Sequence, residues 1–206
     1  NDGTGKRGNL GAVVKAILLD AEARPATPAA TTGKVKEPLL RLTQMWRAYG
    51  AKAASGQYRV GSGEGAGGEG PLQSRSGVSV CGRGCAPRGE VSDQGLVSPE
   101  MQIATEYLNT TAGNAFYGFV FAWNSTATNP AANSVLLDYT AELPLVADSE
   151  ALVNRIADKM LGGQISATLK AEAKAAVERV PATNAGQRVS EALYLVATSP
   201  EYVVQR

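Results

Sequence analysis

The sequence predicts a mainly α fold, an irregular multi-helix assembly with a long glycine-rich loop that forms part of a larger helical domain. Three observations point there. Apolar residues recur at i, i+3, i+4 and i+7 over several separate stretches, which is the period of an amphipathic helix. Those stretches open on Asn, Ser, Asp or Pro and close on Gly or Pro, the residues that satisfy or end a helix terminus. Residues 61–95 hold 11 of the 23 glycines, both cysteines and no aromatic side chain, which is loop composition. With 206 residues, 44% hydrophobic and 19% charged, the chain has the material for a core and is not a disordered tail.

The elements follow in order. Leu10, Val13, Val14, Ile17 and Leu18 keep helical spacing behind a capping Asn9, so a helix is expected over 10–20, with Pro25 barring continuation. A polar, proline-bearing linker runs to Gly33. Pro38 then suits a first helical turn, and Leu39, Leu42, Met45, Trp46 and Tyr49 predict a helix that Gly50 ends. Lys36, Arg41 and Arg47 are expected on its solvated face. After the glycine-rich loop, Ser98-Pro99-Glu100 combines a cap, a first-turn proline and an acid at a helix N-terminus. A helix should begin at Pro99, and the phase of Ile103, Tyr107, Phe116, Val120 and Trp123 carries it to about Trp123. A strand over 116–123 is the alternative.

Asp148 or Ser149 caps a further helix bearing Leu152, Val153, Ile156 and Met160, ended by Gly162-Gly163. Ser166 caps the next, with Leu169, Ala173 and Val177 inward and Pro181 beyond its end. The last long helix runs from about Ala185 to Thr198 and buries Val189, Leu193 and Val196. Ser199-Pro200-Glu201 then repeats the opening chemistry of Ser98-Pro99-Glu100, so a short terminal helix with Tyr202 and Val203 is expected.

Several function classes are disfavoured. The chain has no histidine, which removes Ser-His-Asp and Cys-His catalysis and any His-containing zinc site from it. Its longest apolar run, Ala112 to Trp123, is broken by Asn114 and falls short of the ~18 residues that cross a bilayer, so no membrane span is expected. The net charge of +1 hides an asymmetry: residues 1–60 carry ten basic and four acidic side chains, and 61–206 carry ten and fifteen. The two parts should attract one another. The basic residues of the first part are scattered singly without interleaved aromatics, so nucleic acid is not an expected partner.

The motifs are weak. Gly63-Glu-Gly65-Ala-Gly67-Gly68 fits the dinucleotide pattern, but no helix follows it, and flexible loop is the better reading. Gly5-Lys6-Arg7 and Gly33-Lys34-Val35 lack the Ser or Thr that holds magnesium in a phosphate-binding loop. Cys81 and Cys85 supply two of the four ligands zinc needs, which leaves free thiols or a local disulfide; no cofactor and no metal is expected. Asn109-Thr-Thr111 and Asn124-Ser-Thr126 would matter only in a eukaryotic secretory pathway. Among carboxylate pairs, only Asp138 and Glu142 have the spacing of helical neighbours. Structural roles are expected for these and for Asp148 with Glu150.

Four segments carry a resemblance. They are Gly8 to Arg24, Gly33 to Thr43, Gly95-Leu-Val-Ser-Pro-Glu-Met-Gln102, and the closing Ala192-Leu-Tyr-Leu-Val-Ala-Thr-Ser-Pro-Glu-Tyr-Val-Val-Gln-Arg206. Together they resemble the C-terminal portion of the bacterial domain-of-unknown-function family numbered eighteen hundred. The resemblance implies a mostly helical protein about twice this long, commonly exported or periplasmic, and often encoded beside an exported partner of a sulfatase- or phosphatase-like family. It brings no reaction and no catalytic residues. The chain departs from the family after Pro71-Leu-Gln-Ser-Arg-Ser76, where an aromatic segment gives way to Gly77-Val-Ser-Val-Cys-Gly-Arg-Gly-Cys85. A single-base slip after Ser76 restores an aromatic reading, so a frame-slip origin is the expectation for this stretch, and the cysteines are then accidental.

Two functions follow from these readings. One is a non-catalytic helical scaffold or interaction module of an exported bacterial protein, which should show an apolar patch without convergent polar side chains. The other is the C-terminal part of an enzyme whose catalytic residues lie mainly in an N-terminal half. There Glu100, Gln102 and Glu106 would complete a pocket and should converge on it.

Overall fold

The computed structural model describes residues 8–21, 24, 33–58, 84–86, 88–102, 106–122 and 135–205. The described fold is mainly α-helical, as the periodicity implies. The chain divides after Lys34 into two compact units.

The first unit contains helix α1, Leu10–Leu19, whose N-terminus is closed by Asn9: its Oδ1 accepts from the Ala12 N–H at 3.2 Å. None of its side chains is buried. Leu10 is 76% and Ile17 63% exposed, with Val13, Val14, Leu18 and Leu19 also open to solvent.

The second unit, Val35–Gln205, holds the core. Helix α2, Pro38–Ala48, starts on its proline and turns Leu42, Met45 and Trp46 inward, with Tyr49 buried just past its end and Gly50 at φ 51° beyond. Helix α5, Ser149–Leu161, is capped by Asp148, whose Oδ1 accepts from the N–H groups of Glu150 and Ala151, both at 3.0 Å. Gly162, at φ 62°, takes the left-handed conformation that ends the helix without a Cβ penalty. Helix α6, Ala167–Arg179, is capped by the Ser166 hydroxyl, which accepts from the Leu169 N–H at 3.1 Å. Helix α7, Ala185–Thr198, packs on both of them through Val189, Leu193 and Val196, all without exposed surface. Helix α8, Pro200–Val203, begins at Ser199, whose Oγ accepts from the Tyr202 N–H at 3.2 Å.

Three expectations need correction. The stretch read as one helix from Pro99 is helical in separate windings: a 3-10 turn at Pro99–Gln102, α-helix α4 at Glu106–Tyr117, and a π-helical segment at Gly118–Ala122. Residues 103–105 and Trp123 lie outside the described residues. The strand alternative for 116–123 is overturned over 116–122, because Phe116, Phe119 and Val120 are buried in helical backbone. The region 61–95, read as loop throughout, holds the short helix α3 at Glu90–Asp93, with Gly89 at φ 112° as its lead-in. Its glycine-rich motif, the proposed frame-slip stretch through Arg83, and Cys81 lie outside the described residues. An antiparallel ladder that the periodicity did not suggest pairs Lys52 with Leu136 and Ala53 with Val135. Two residues per strand are too short for an alternation to register.

Candidate functional site around Arg41

Helix α2 places Arg41 one turn from Pro38 and one turn from Met45, inside its own apolar stripe rather than on the solvated face the sequence suggested. Arg41 is 4% exposed, and its Nε and Nη2 are buried without a hydrogen-bond partner. Arg47, two positions from Met45, is exposed as expected. Lys36 is half-buried: its Nζ donates to Gln44 Oε1 at 3.0 Å and sits 4.3 Å from the centre of the Tyr202 ring. Burial pulls the Lys36 ammonium below its ordinary pKa, and the Arg41 charge adds to that. Burial also lowers the Arg41 guanidinium. The two cations therefore feel one another.

Arg41 lines an open cavity of about 360 Å³ within the second unit. Met101 of the 3-10 turn contributes to its wall, as do Ala112, Gly113 and Phe116 of α4. The end of α7 supplies Ala197 and Thr198, and the segment from Pro200 to Val204 closes another side with Val203 and Val204. The Thr198 hydroxyl donates to the Tyr194 carbonyl at 2.7 Å. Tyr202, next to lining residue Val203, donates its hydroxyl to the Arg41 carbonyl and meets Phe116 edge-on with ring centres 6.4 Å apart. Among the described lining residues Arg41 is the charged one, in a wall otherwise dominated by aliphatic and aromatic surface.

A second polar cluster lies at the other end of α2. Glu142 has no exposed surface, and Lys159 Nζ approaches its Oε1 to 2.6 Å, with Arg155 Nε at 3.6 Å. The contact is ionic, without the directional geometry of a hydrogen bond. Lys159 also lies 4.6 Å from the centre of the Tyr49 ring, and the Tyr49 hydroxyl is buried without a partner. Burial first, and the Glu142 charge second, push the Tyr49 phenol well above its ordinary value.

The sequence-predicted residues fall differently. Glu100 and Gln102 belong to the 3-10 turn and Glu106 opens α4, but their side chains lie outside the described residues. Asp138 and Glu142 form no pair: Asp138 is exposed and accepts from the Thr140 N–H at 3.0 Å, whereas Glu142 is buried on Lys159. Asp148 caps α5, and Glu150 holds Lys170 Nζ at 2.9 Å across to α6. Arg41 was missed, although its phase with Pro38, Leu42 and Met45 is legible in the sequence. A charged residue in a buried stripe is a stronger signal than its residue type suggests.

The family profile described as "Protein of unknown function (DUF1800)" matches residues 3–204. The chain belongs to this family. The match takes in nearly the whole chain, as the resemblance implied. No curated protein and no solved structure matches. Among the described residues, no helix is long and apolar enough to cross a membrane. Membership brings the family's description and no reaction, so function has to be argued from the geometry around Arg41.

Proposed function

We propose that this chain is a non-catalytic helical binding module of an exported bacterial protein, working beside a second exported protein of the sulfatase- or phosphatase-like kind. The observation that carries the binding reading is the character of the cavity wall. Among the described residues, the segment from Pro99 to Tyr117 contributes Met101, Ala112, Gly113 and Phe116 to it. Concave, mainly apolar surface with a few polar groups, here Arg41 and Thr198 among the described residues, is what a ligand site presents. The cavity's volume lies at the lower end of the roughly 300–1,000 Å³ typical of such sites, which suits a small ligand.

The test is occupancy of the cavity by a neutral apolar fluorophore, Nile red. Its emission should rise on mixing with the protein. Gly113→Leu should suppress that rise at least fivefold while leaving the melting temperature unchanged or higher. A Cβ at Gly113 meets its nearest neighbour, the Tyr194 hydroxyl, at 3.8 Å, an ordinary contact, and leucine favours the helix. Emission that is absent, or indifferent to Gly113→Leu, removes the binding reading. Export is tested separately, by fractionating the native bacterium and locating the protein with an antibody.

A further inference from the structure

We infer that Met101 is a site of reversible oxidation by peroxide, and that its sulfoxide closes the cavity to apolar ligands. The modification stands on exposure and chemistry; its effect on binding rests on the reading of the cavity as a ligand site. The chain has three methionines, and they sit in two kinds of surroundings. Met45 on α2 and Met160 on α5 are 0% and 1% exposed, inside the core of the second unit. Met101 is 36% exposed, on the 3-10 turn at Pro99–Gln102, and lines the open cavity. An oxidant has to reach the sulfur, so susceptibility follows exposure, and Met101 is the methionine that a peroxide meets first. Its turn is tied down: the Met101 N–H donates to the Ser98 carbonyl at 3.1 Å, and the Ser98 N–H donates to the Cys85 carbonyl at 2.8 Å.

The step needs no group from the protein beyond the thioether. A sulfur lone pair attacks one oxygen of hydrogen peroxide, and an S–O bond forms as the O–O bond breaks. The leaving hydroxide takes the proton from the transferred oxygen and departs as water. Sulfur is oxidised by two electrons and the peroxide is reduced by two. A dithiol reductant acting through a sulfoxide reductase reverses the change, giving back the thioether and water and ending as a disulfide. The two forms make different walls. The thioether is soft and apolar, in keeping with Phe116, Val203 and Val204, which share the lining with it. The sulfoxide oxygen is a strong acceptor that holds water, and an apolar ligand has to strip that water to enter. Oxidation therefore turns an apolar site into a hydrated one and leaves the two core methionines alone.

The experiment treats the folded chain, its thiols first capped with iodoacetamide, with hydrogen peroxide that is then removed by catalase. Peptide mass spectrometry follows each methionine, and Nile red emission follows the cavity. Met101 should gain one oxygen at least about tenfold faster than Met45 or Met160, and emission should fall in step, by at least about threefold at full conversion. Methionine sulfoxide reductases for both epimers, with dithiothreitol, should restore the thioether and the emission together. The treated and untreated forms of Met101→Leu should give the same emission as one another. Should Met101→Leu fail to fold or to take up Nile red, recovery of the wild type by the reductases carries the test. Oxidation of Met45 or Met160 as fast as Met101 overturns the oxidation site. Full conversion of Met101 with emission unchanged, or a loss of emission that Met101→Leu shares, overturns the closure and leaves the ligand-site reading standing. Absence of Nile red emission from the untreated wild type overturns the ligand-site reading and the closure with it, while the rates at the three methionines still decide the oxidation site.

Discussion

Glu142 is a carboxylate with no solvent of its own, held by one close ammonium and one more distant guanidinium. Such pairs are poor evidence of net stabilisation, because desolvating both ions offsets much of their attraction. Removing one partner is another matter. Lys159→Met should cost about 3 kcal/mol by leaving a buried carboxylate with only the half-exposed Arg155. The double change Glu142→Met with Lys159→Met should recover most of that, and urea denaturation of the two single variants and the double measures the coupling. A double variant as unstable as the sum of the singles would mean that the ion pair does not couple. The sequence offered Glu142 only as half of a pair with Asp138, because spacing cannot show that 138–142 lies outside a helix and sends the two side chains opposite ways. Arg41 is the converse case. Residue type pointed outward, while the phase of Pro38, Leu42 and Met45 pointed inward, and packing followed phase.

At the scale of elements, caps and periodicity were enough for α5 and α6, where a side-chain cap coincides with an apolar stripe that has a partner to meet, and periodicity was enough for α7, whose Asn184 makes no capping bond. They were not enough for the stretch from Pro99 to Ala122, where the same apolar phase persists across a 3-10 turn, an α-helix and a π-helical segment. Hydrophobic spacing changes too little between those windings to distinguish them. Helix α1 shows a further limit: its spacing and its Asn9 cap are those of a packed helix, yet its apolar side chains are exposed. A side chain that buries nothing costs nothing to replace. Ile17→Lys, at a site 63% exposed, should therefore change the unfolding free energy by less than about 0.5 kcal/mol. Leu193→Ala, in the middle of α7, should cost roughly 2–5 kcal/mol. Urea midpoints of the two variants decide it, and a loss above about 1 kcal/mol for Ile17→Lys would show that α1 is covered in solution.

Across the whole second unit, two buried phenols join segments far apart in sequence, and they make its stability depend on alkaline pH. Tyr49 ends α2 and meets the Tyr139 ring edge-on at 5.6 Å, while its carbonyl accepts from the Asp138 N–H at 2.8 Å. Tyr202 bonds α8 to α2 through the Arg41 carbonyl. Burial raises both phenols above the ordinary value of about 10. Below about pH 10 the folded and unfolded chains both hold these protons, and the full stability is present. As pH rises further, the unfolded chain releases protons that the folded chain keeps, so stability falls through the folded-state values. Lys36 acts with the opposite sign, since its lowered pKa means that rising pH relieves a penalty. One half-buried ammonium stands against two buried phenols, and the phenols should dominate. The urea midpoint should accordingly hold to about pH 10 and drop as the pH rises beyond it, with phenolate absorbance from the buried tyrosines appearing only as the chain unfolds. Tyr49→Phe keeps the ring and removes a hydroxyl that has no partner, so it should cost little near neutrality and make the alkaline drop shallower. An alkaline drop of the same size in Tyr49→Phe would mean that this phenol does not link pH to folding.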